Sequence, residues 1–373
     1  MDTEVIKIDA EAQRADAIRR GTEVLSHGGL VAFRTETVYG LGVRADDDDA
    51  VARLRTLKQR PEGKGFTVQV SAAAAVHRFA PDLNGLAARL ISRAWPGPLT
   101  LVVPVADPAS TPVMAELGRS AASALFVEGT VGLRCPDDAV TREILSACPA
   151  PVVAASANLA GEAPPSSGDA VLKALDGRFD LLIDAGPTRY AKPSTIVRVA
   201  DGAYHILREG VLDDRILRRF STLRILLVCT GNTCRSAMAA VLAEKMIADR
   251  VGCDVADLSD RKIEIFSAGT FGGAGGASPH AVQVMAQRGL DLSNHQSAAL
   301  TAEMVRQADH VFCMTRAHCD AVSSMVPAAK DRVQRLVDHA DVDDPVGGDR
   351  QTYERCAQTI EAGLRDRLSR IIP

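Results

Sequence analysis

The stretch RILLVCTGNTCRSAMAAVLAEKMIADR, residues 224–250, constrains the fold more tightly than any other part of the chain. An apolar run closes on Cys229, five residues turn the chain, and a strong helix-forming run begins at once. Two later β-type runs, KIEIFSA and HVFCMT, are each separated by helical stretches, so the strand, turn and helix unit repeats. That repetition predicts a parallel sheet with helices on both faces, and ligand chemistry at the carboxyl ends of its strands.

The rest of the chain is too long to join the same core, since domains usually span about 100–200 residues. Before residue 212, β-type runs such as LVAFRT, FTVQV, LTLVVPV, PVVAASA and DLLIDA alternate with helical runs such as AVARLRTLKQR and LNGLAARLISRAW. The pattern then becomes short, charged and amphipathic before RILLVC starts. We therefore expect an α/β domain over 1–212, a linker over 213–222 and a second α/β domain over 223–373. No apolar run approaches the ~20 residues of a membrane span, and the N-terminus lacks a secretory plan, so a cytoplasmic protein is expected. Eight scattered cysteines do not form a disulfide framework.

Net charge is −4, with 23 basic and 26 acidic residues up to residue 212 and 20 and 21 after it. Neither half is basic enough for strong direct nucleic-acid binding. The run Asp46 to Asp49 reads as a solvated loop. YGLG and FGGAGGASP match neither the dinucleotide nor the G-x-x-x-x-G-K-[ST] fingerprint and read as turns needing positive φ.

The segment VCTGNTCRS carries the plainest chemistry. A loop of five residues between Cys229 and Arg235 can curl until its N–H groups and the helix N-terminus converge on one small volume. Such a cradle favours a bound phosphate and an anionic sulfur alike. Cys229 is the expected nucleophile, and Arg235 would grip two phosphate oxygens with its planar fork. Thr230, Gly231, Asn232, Thr233 and Cys234 form the loop, with Ser236 donating to the cysteine sulfur. A proton donor for the leaving group is also needed, and Asp344 of DVDDPVGGD is chosen over Asp341 and Asp343. Cys234, beside the nucleophile, could pair with it on oxidation or simply pack.

Residues 223–373 resemble the low-molecular-weight protein phosphatases throughout, in CTGNTCRS, SAGT at 267–270, SPHAV at 278–282, MTRAH at 314–318 and a late Asp-Pro. The resemblance implies a flavodoxin-like fold, a cysteinyl-phosphate intermediate, no cofactor and a phosphoprotein substrate. It assigns the nucleophile, arginine and acid to Cys229, Arg235 and Asp344. Ala237 stands where proline commonly follows the loop, and Val346 replaces the usual aromatic after Asp-Pro, which weakens the case for a phosphotyrosine pocket. Thr233 occupies a position where members acting on phosphoarginine carry threonine, so phosphoarginine is the expected substrate, with phosphotyrosine the competitor. Arsenate reduction, using Cys313 and Cys319 as a relay, is the alternative.

In the first half, polar clusters interrupt strands where a ligand would justify them. FRTETVYGLG ends a strand in hydroxyls, LKQRPEGKG sets Lys58, Arg60 and Lys64 on a basic tract, and VGLRCPD ends a strand at Arg134. VVAASANLAGE supplies Ser156 and Asn158, AKPSTIVRV supplies Ser194 and Thr195, and HILREG supplies Arg208. Each alone fits a cap, turn or salt bridge. Their order, with W-P-G-P-L-T at 95–100, resembles the YrdC family of threonylcarbamoyl-adenylate synthases over residues of about 15 to 212.

That resemblance implies a twisted mixed-sheet α/β fold that joins L-threonine, bicarbonate and ATP with Mg2+ into threonylcarbamoyl-AMP. The product would serve the tRNA threonylcarbamoyl transferase machinery. ATP contacts would fall on Lys58, Arg60, Ser156, Asn158 and Arg208, and threonine or its carbamate on Thr35, Arg134 and Ser194. No covalent nucleophile is needed, so positive charge and positioning can carry the reaction. EGKGFTVQV follows where many relatives have Asn/Lys-Pro-Leu, which leaves Lys64 to take over that contact. An RNA-binding or regulatory first half without synthase activity is the alternative.

Overall fold

The structure is a computed structural model that describes residues 2–61, 63–117, 122–200, 202–273 and 275–372. It divides into two compact units, Met1–Ser221 and Thr222–Pro373. The segment expected as a linker is largely a helix, Asp214–Ser221, packed on helix Gly85–Ala94 of the first unit. Its fully buried Leu217 joins that unit's core, and Arg89 Nε donates to the Ser221 carbonyl at 2.9 Å. Helical spacing of Ile216, Leu217 and Phe220 among arginines made the helix, and burial of Leu217 placed it.

The first unit is built on a mixed sheet. In spatial order its main strands are Glu4–Lys7, Leu181–Asp184, Val31–Phe33, Gly40–Arg44, Val152–Ser156, Thr67–Gln69, Thr130–Arg134, Leu99–Pro104, Thr195–Ala200 and Ala203–Arg208. Successive residues face opposite sides of the sheet. Ala32, Val153 and Leu182 enter one core, while Val31, Phe33, Val152, Ala154, Leu181 and Ile183 enter the other. Both faces are therefore covered, and the strands read as continuous apolar runs. Gly40 and Gly42 are strand residues, not turns: a Cβ at Gly42 would lie 2.8 Å from the Phe33 ring, so YGLG is glycine-rich because that ring packs flat across it. The aspartate run is not a loop either. Asp47 caps helix Asp48–Leu57 by accepting from Ala50 N at 2.9 Å, and Asp46 pairs with Arg44.

The second unit holds four parallel strands in the order Ile263–Gly269, Leu223–Cys229, His310–Cys313, Val333–Arg335. Helices Arg235–Val251, Pro279–Gln287 and Arg350–Ile371 cover one face, with Arg316–Met325 among those on the other. The parallel α/β architecture expected from the sequence is present in this unit, and the mixed α/β sheet in the first.

Candidate active sites

In the second unit, strand Leu223–Cys229 ends at the nucleophile candidate and helix Arg235–Val251 starts six residues on. Asn232 holds the intervening loop closed. It sits at φ 54°, and its side chain donates to Ser236 Oγ at 2.9 Å and Ser267 Oγ at 2.8 Å while accepting from Ala298 N at 2.8 Å. Asparagine tolerates this left-handed backbone, and three side-chain bonds keep it there. The loop also needs room behind it. A Cβ at Gly269, in SAGT, would come within 2.5 Å of the Thr230 carbonyl and 2.9 Å of Asn232 N.

Cys229 Sγ receives Asn232 N–H at 3.2 Å and lies 2.9 Å from Ser236 Oγ. The sulfur thus meets one backbone donor and one hydroxyl able to donate to it. Arg235 is buried, reaches Thr230 Oγ1 at 3.2 Å and the Val342 carbonyl at 3.1 Å, and pairs closely with Asp344. Of the three competing aspartates only Asp344 meets the arginine. Asp341 instead accepts from Arg316 N at 2.9 Å, a bond that with Arg335 holds its carboxyl below the usual range, and the Asp343 carbonyl faces Cys356.

Cys234 turns into the core against Ser278 Oγ and Tyr353 Oη, each at 3.3 Å, and all eight cysteines are free. Cys313 pairs with Val228 in the sheet, so its side chain shares the face of Val228 and not that of Cys229. Cys319 packs with it on that opposite face, which separates both from the nucleophile by the thickness of the sheet. Thiols placed so cannot relay electrons directly to Cys229.

In the first unit, strand ends converge on one pocket lined by Thr35, Lys58, Arg60, Arg134, Ser156, Ser194 and Arg208, with Gln69, Thr100 and Tyr39 among its other walls. Lys58 Nζ donates to the Ser156 carbonyl at 2.8 Å and to both the carbonyl and Oδ1 of Asn158. Asn158 is not on the wall; it stands behind Lys58. Lys64 does not reach the pocket. Its side chain is exposed and its carbonyl accepts from Arg55 and Arg60.

Four cations meet here, and among the described residues only Arg134 has a carboxylate, the buried Glu36 at 2.8 Å. Arg208 is held by the Ser194 carbonyl at 2.7 Å and Ser194 Oγ at 3.1 Å. Burial, and then Arg134 nearby, lower its pKa. Burial, and then Arg60, bring the Lys58 ammonium down to about 8, and burial followed by Arg55 lowers Arg60. Thr35 is locked in a turn, donating to the Val38 carbonyl at 2.6 Å and receiving Arg134 Nη2 at 3.3 Å. Two buried atoms of pocket-lining side chains, Arg134 Nε and Gln69 Oε1, have no protein partner. Such atoms are rare in a folded chain and mark places for a ligand or water. Sequence reasoning gave no role to Gln69, which lies inside an apolar strand without a local motif, or to Thr100, which closes W-P-G-P-L-T and enters there only as part of the family order.

Comparison with known proteins matches residues 23–210 to the family model Sua5_yciO_yrdC, described as "Telomere recombination", and residues 224–371 to the low molecular weight phosphotyrosine protein phosphatases. The chain is 32% identical over 195 residues to the threonylcarbamoyl-AMP synthase of Pyrococcus abyssi, covering 52% of this chain and 54% of that one. It thus spans about half the length of the first curated relatives it matches. The Chromohalobacter salexigens synthase is 33% identical over 190 residues, 51% of this chain and 96% of that protein. Among solved structures, the YwlE arginine phosphatase of Geobacillus stearothermophilus is 36% identical, covering 40% of this chain and 91% of its own, at a TM-score of 0.34. A P. abyssi Sua5 structure, solved with L-threonine, shares the fold over 98% of both chains at 19% identity and a TM-score of 0.51.

Proposed function

Since the chain belongs to the Sua5/YciO/YrdC family over its first half and to the low molecular weight phosphotyrosine protein phosphatases over its second, we propose that it is a bifunctional enzyme. The first unit makes threonylcarbamoyl-AMP from L-threonine, bicarbonate and ATP. The second hydrolyses a phosphorylated protein side chain.

One observation carries the first reading: Lys58, Arg60 and Arg208 line a single pocket with no carboxylate partner among the described residues. Lys58 is buried, Arg60 half-buried and Arg208 at the exposed rim, and a cation withdrawn from water without a carboxylate is accounted for when an anion fills the site. In this reading Lys58, Arg60, Ser156 and Arg208 hold the ATP phosphates, with Asn158 fixing Lys58. Thr35, Arg134 and Ser194 hold threonine and its carbamate, whose oxygen attacks the α-phosphorus and displaces pyrophosphate. No group of three or more His, Cys, Asp or Glu among the described residues is placed to hold a metal, so Mg2+ would enter on the triphosphate. The product, an activated carbamate, has to pass to a transferase that acts on tRNA. Incubation with L-threonine, bicarbonate, Mg2+ and ATP should release pyrophosphate, and Lys58→Ala should abolish it; release without threonine would overturn this reading.

For the second unit the carrying observation is the convergence on Cys229 Sγ of the Asn232 N–H and the Ser236 hydroxyl, with Asp344 on Arg235. Cys229 attacks phosphorus, Arg235 holds the equatorial oxygens, Asp344 protonates the leaving group and then deprotonates water, and Ser236 eases departure of the sulfur. Phosphoarginine is the preferred substrate. Thr233 and the relation to an arginine phosphatase support it, as does the highly exposed Val346 in place of a ring. A panel of phosphoarginine, phosphotyrosine, phosphoserine and arsenate, with Cys229→Ser as the dead reference, tests this; faster turnover of phosphotyrosine would overturn the preference.

A further inference from the structure

The phosphate loop is braced from a side that neither its motif nor the reaction accounts for. His318, on the first turn of helix Arg316–Met325, is buried. Its Nε2 lies 2.9 Å from Thr230 Oγ1 and its Nδ1 2.8 Å from Thr315 Oγ1, so the imidazole bridges two hydroxyls. Thr230 Oγ1 in turn accepts from Arg235 Nη2 at 3.2 Å. A continuous chain of polar contacts therefore runs from Thr315 through His318 and Thr230 to the guanidinium.

A neutral imidazole offers one donor and one acceptor, which suits two hydroxyls. An imidazolium offers two donors. Thr230 Oγ1 already accepts a hydrogen bond from Arg235, so it would then accept from two cations at once. The charged groups facing His318 are Arg235 from helix Arg235–Val251 and Asp344 and Asp341 from the loop before helix Arg350–Ile371. Burial and then Arg235 push its pKa below the ordinary histidine value, against the opposing pull of the two carboxylates.

We propose that neutral His318 is a positioning residue for phosphoryl transfer, pinning the Thr230 hydroxyl so that Arg235 presents its fork to the phosphate. The inference deepens the phosphatase reading and rests on it. Transfer depends on where the fork stands, and a small misplacement is costly in rate. His318 touches neither substrate nor sulfur in this scheme and acts only through Thr230.

Two isosteres separate positioning from folding. Glutamine places its amide where Nε2 stands and can still meet Thr230; asparagine ends near Nδ1 and can meet only Thr315. On p-nitrophenyl phosphate with the full chain, His318→Asn should lower kcat roughly tenfold, near the upper worth of a hydrogen bond between neutral groups, with KM little changed. His318→Gln should recover most of the rate. Both should lose an acid-side inflection of the wild-type kcat profile lying below the usual histidine range. In a Thr230→Val background, His318→Asn should have no further effect, because the bond it breaks is already gone. Equal rates for the Asn and Gln variants, additive effects of the two substitutions, or an inflection that survives both isosteres would each overturn the proposal. Absence of wild-type turnover above the Cys229→Ser background would instead overturn the phosphatase reading, and this inference with it.

Discussion

Lys58 is a cation kept at the edge of its charge by its own surroundings. Among the described residues it is held by carbonyl and amide oxygens alone, and burial brings it to about 8. Its folded pKa is depressed, so without nucleotide the side chain is an ammonium below about pH 8 and loses its charge above. A triphosphate favours the charged form, so nucleotide binding above pH 8 must take up a proton. The expected result is a nucleotide-dependent rise in Tm that is larger at pH 7 than at pH 9, read by thermal shift; in Lys58→Met the dependence on pH should vanish. Arg134→Lys should weaken threonine use more than nucleotide binding, because Arg134 meets Glu36 and Thr37 through Nη2 and keeps Nε without a protein partner, a spread of donors that one ammonium cannot reproduce; KM for each substrate checks it. Residue chemistry was legible where one short motif holds a whole mechanism, as in CTGNTCRS. Gln69 was not, since a single polar residue in FTVQV looks like any polar position of a half-buried strand, and only the unpartnered Oε1 singles it out.

At the scale of elements, glycines in strands record what packs beside them. Gly269→Ala should push its new methyl into the Thr230 carbonyl and displace the loop. Overpacking of this kind costs about 1–3 kcal/mol, and phosphatase turnover should fall at least tenfold (~1.4 kcal/mol in barrier) while the synthase stays intact, measured by both assays on one preparation. The helix Asp214–Ser221 gives a second test. A fragment ending at residue 212 lacks the buried Leu217, worth about 1.5–3 kcal/mol, so it should melt below one ending at Ser221. Strands and most helices were readable from period and apolar runs. The short helix after residue 212 was not, because its arginines resemble a solvated connector until a partner surface is known. The same limit made the aspartate run look like a loop when it caps a helix.

Across the whole molecule, two complete cores share one chain, and fragments 1–221 and 222–373 should each unfold cooperatively and keep their own activity; loss of both activities on separation would show that neither unit stands alone. The chain changes pattern near residue 212, and the two compact units meet in sequence at Ser221 and Thr222. No helix among the described residues is long and apolar enough to cross a membrane. Family likeness supplied what local pattern could not, namely which distant strand ends in the first half meet. The pairing of Arg235 with Asp344 has a last consequence. An idle loop whose guanidinium already has a carboxylate companion offers little to chloride or other singly charged ions, which would have to evict that companion for no net gain. In the proposed reaction a doubly charged ester does so, and the displaced carboxyl then faces the departing group, to which it can pass a proton only after taking one up from water.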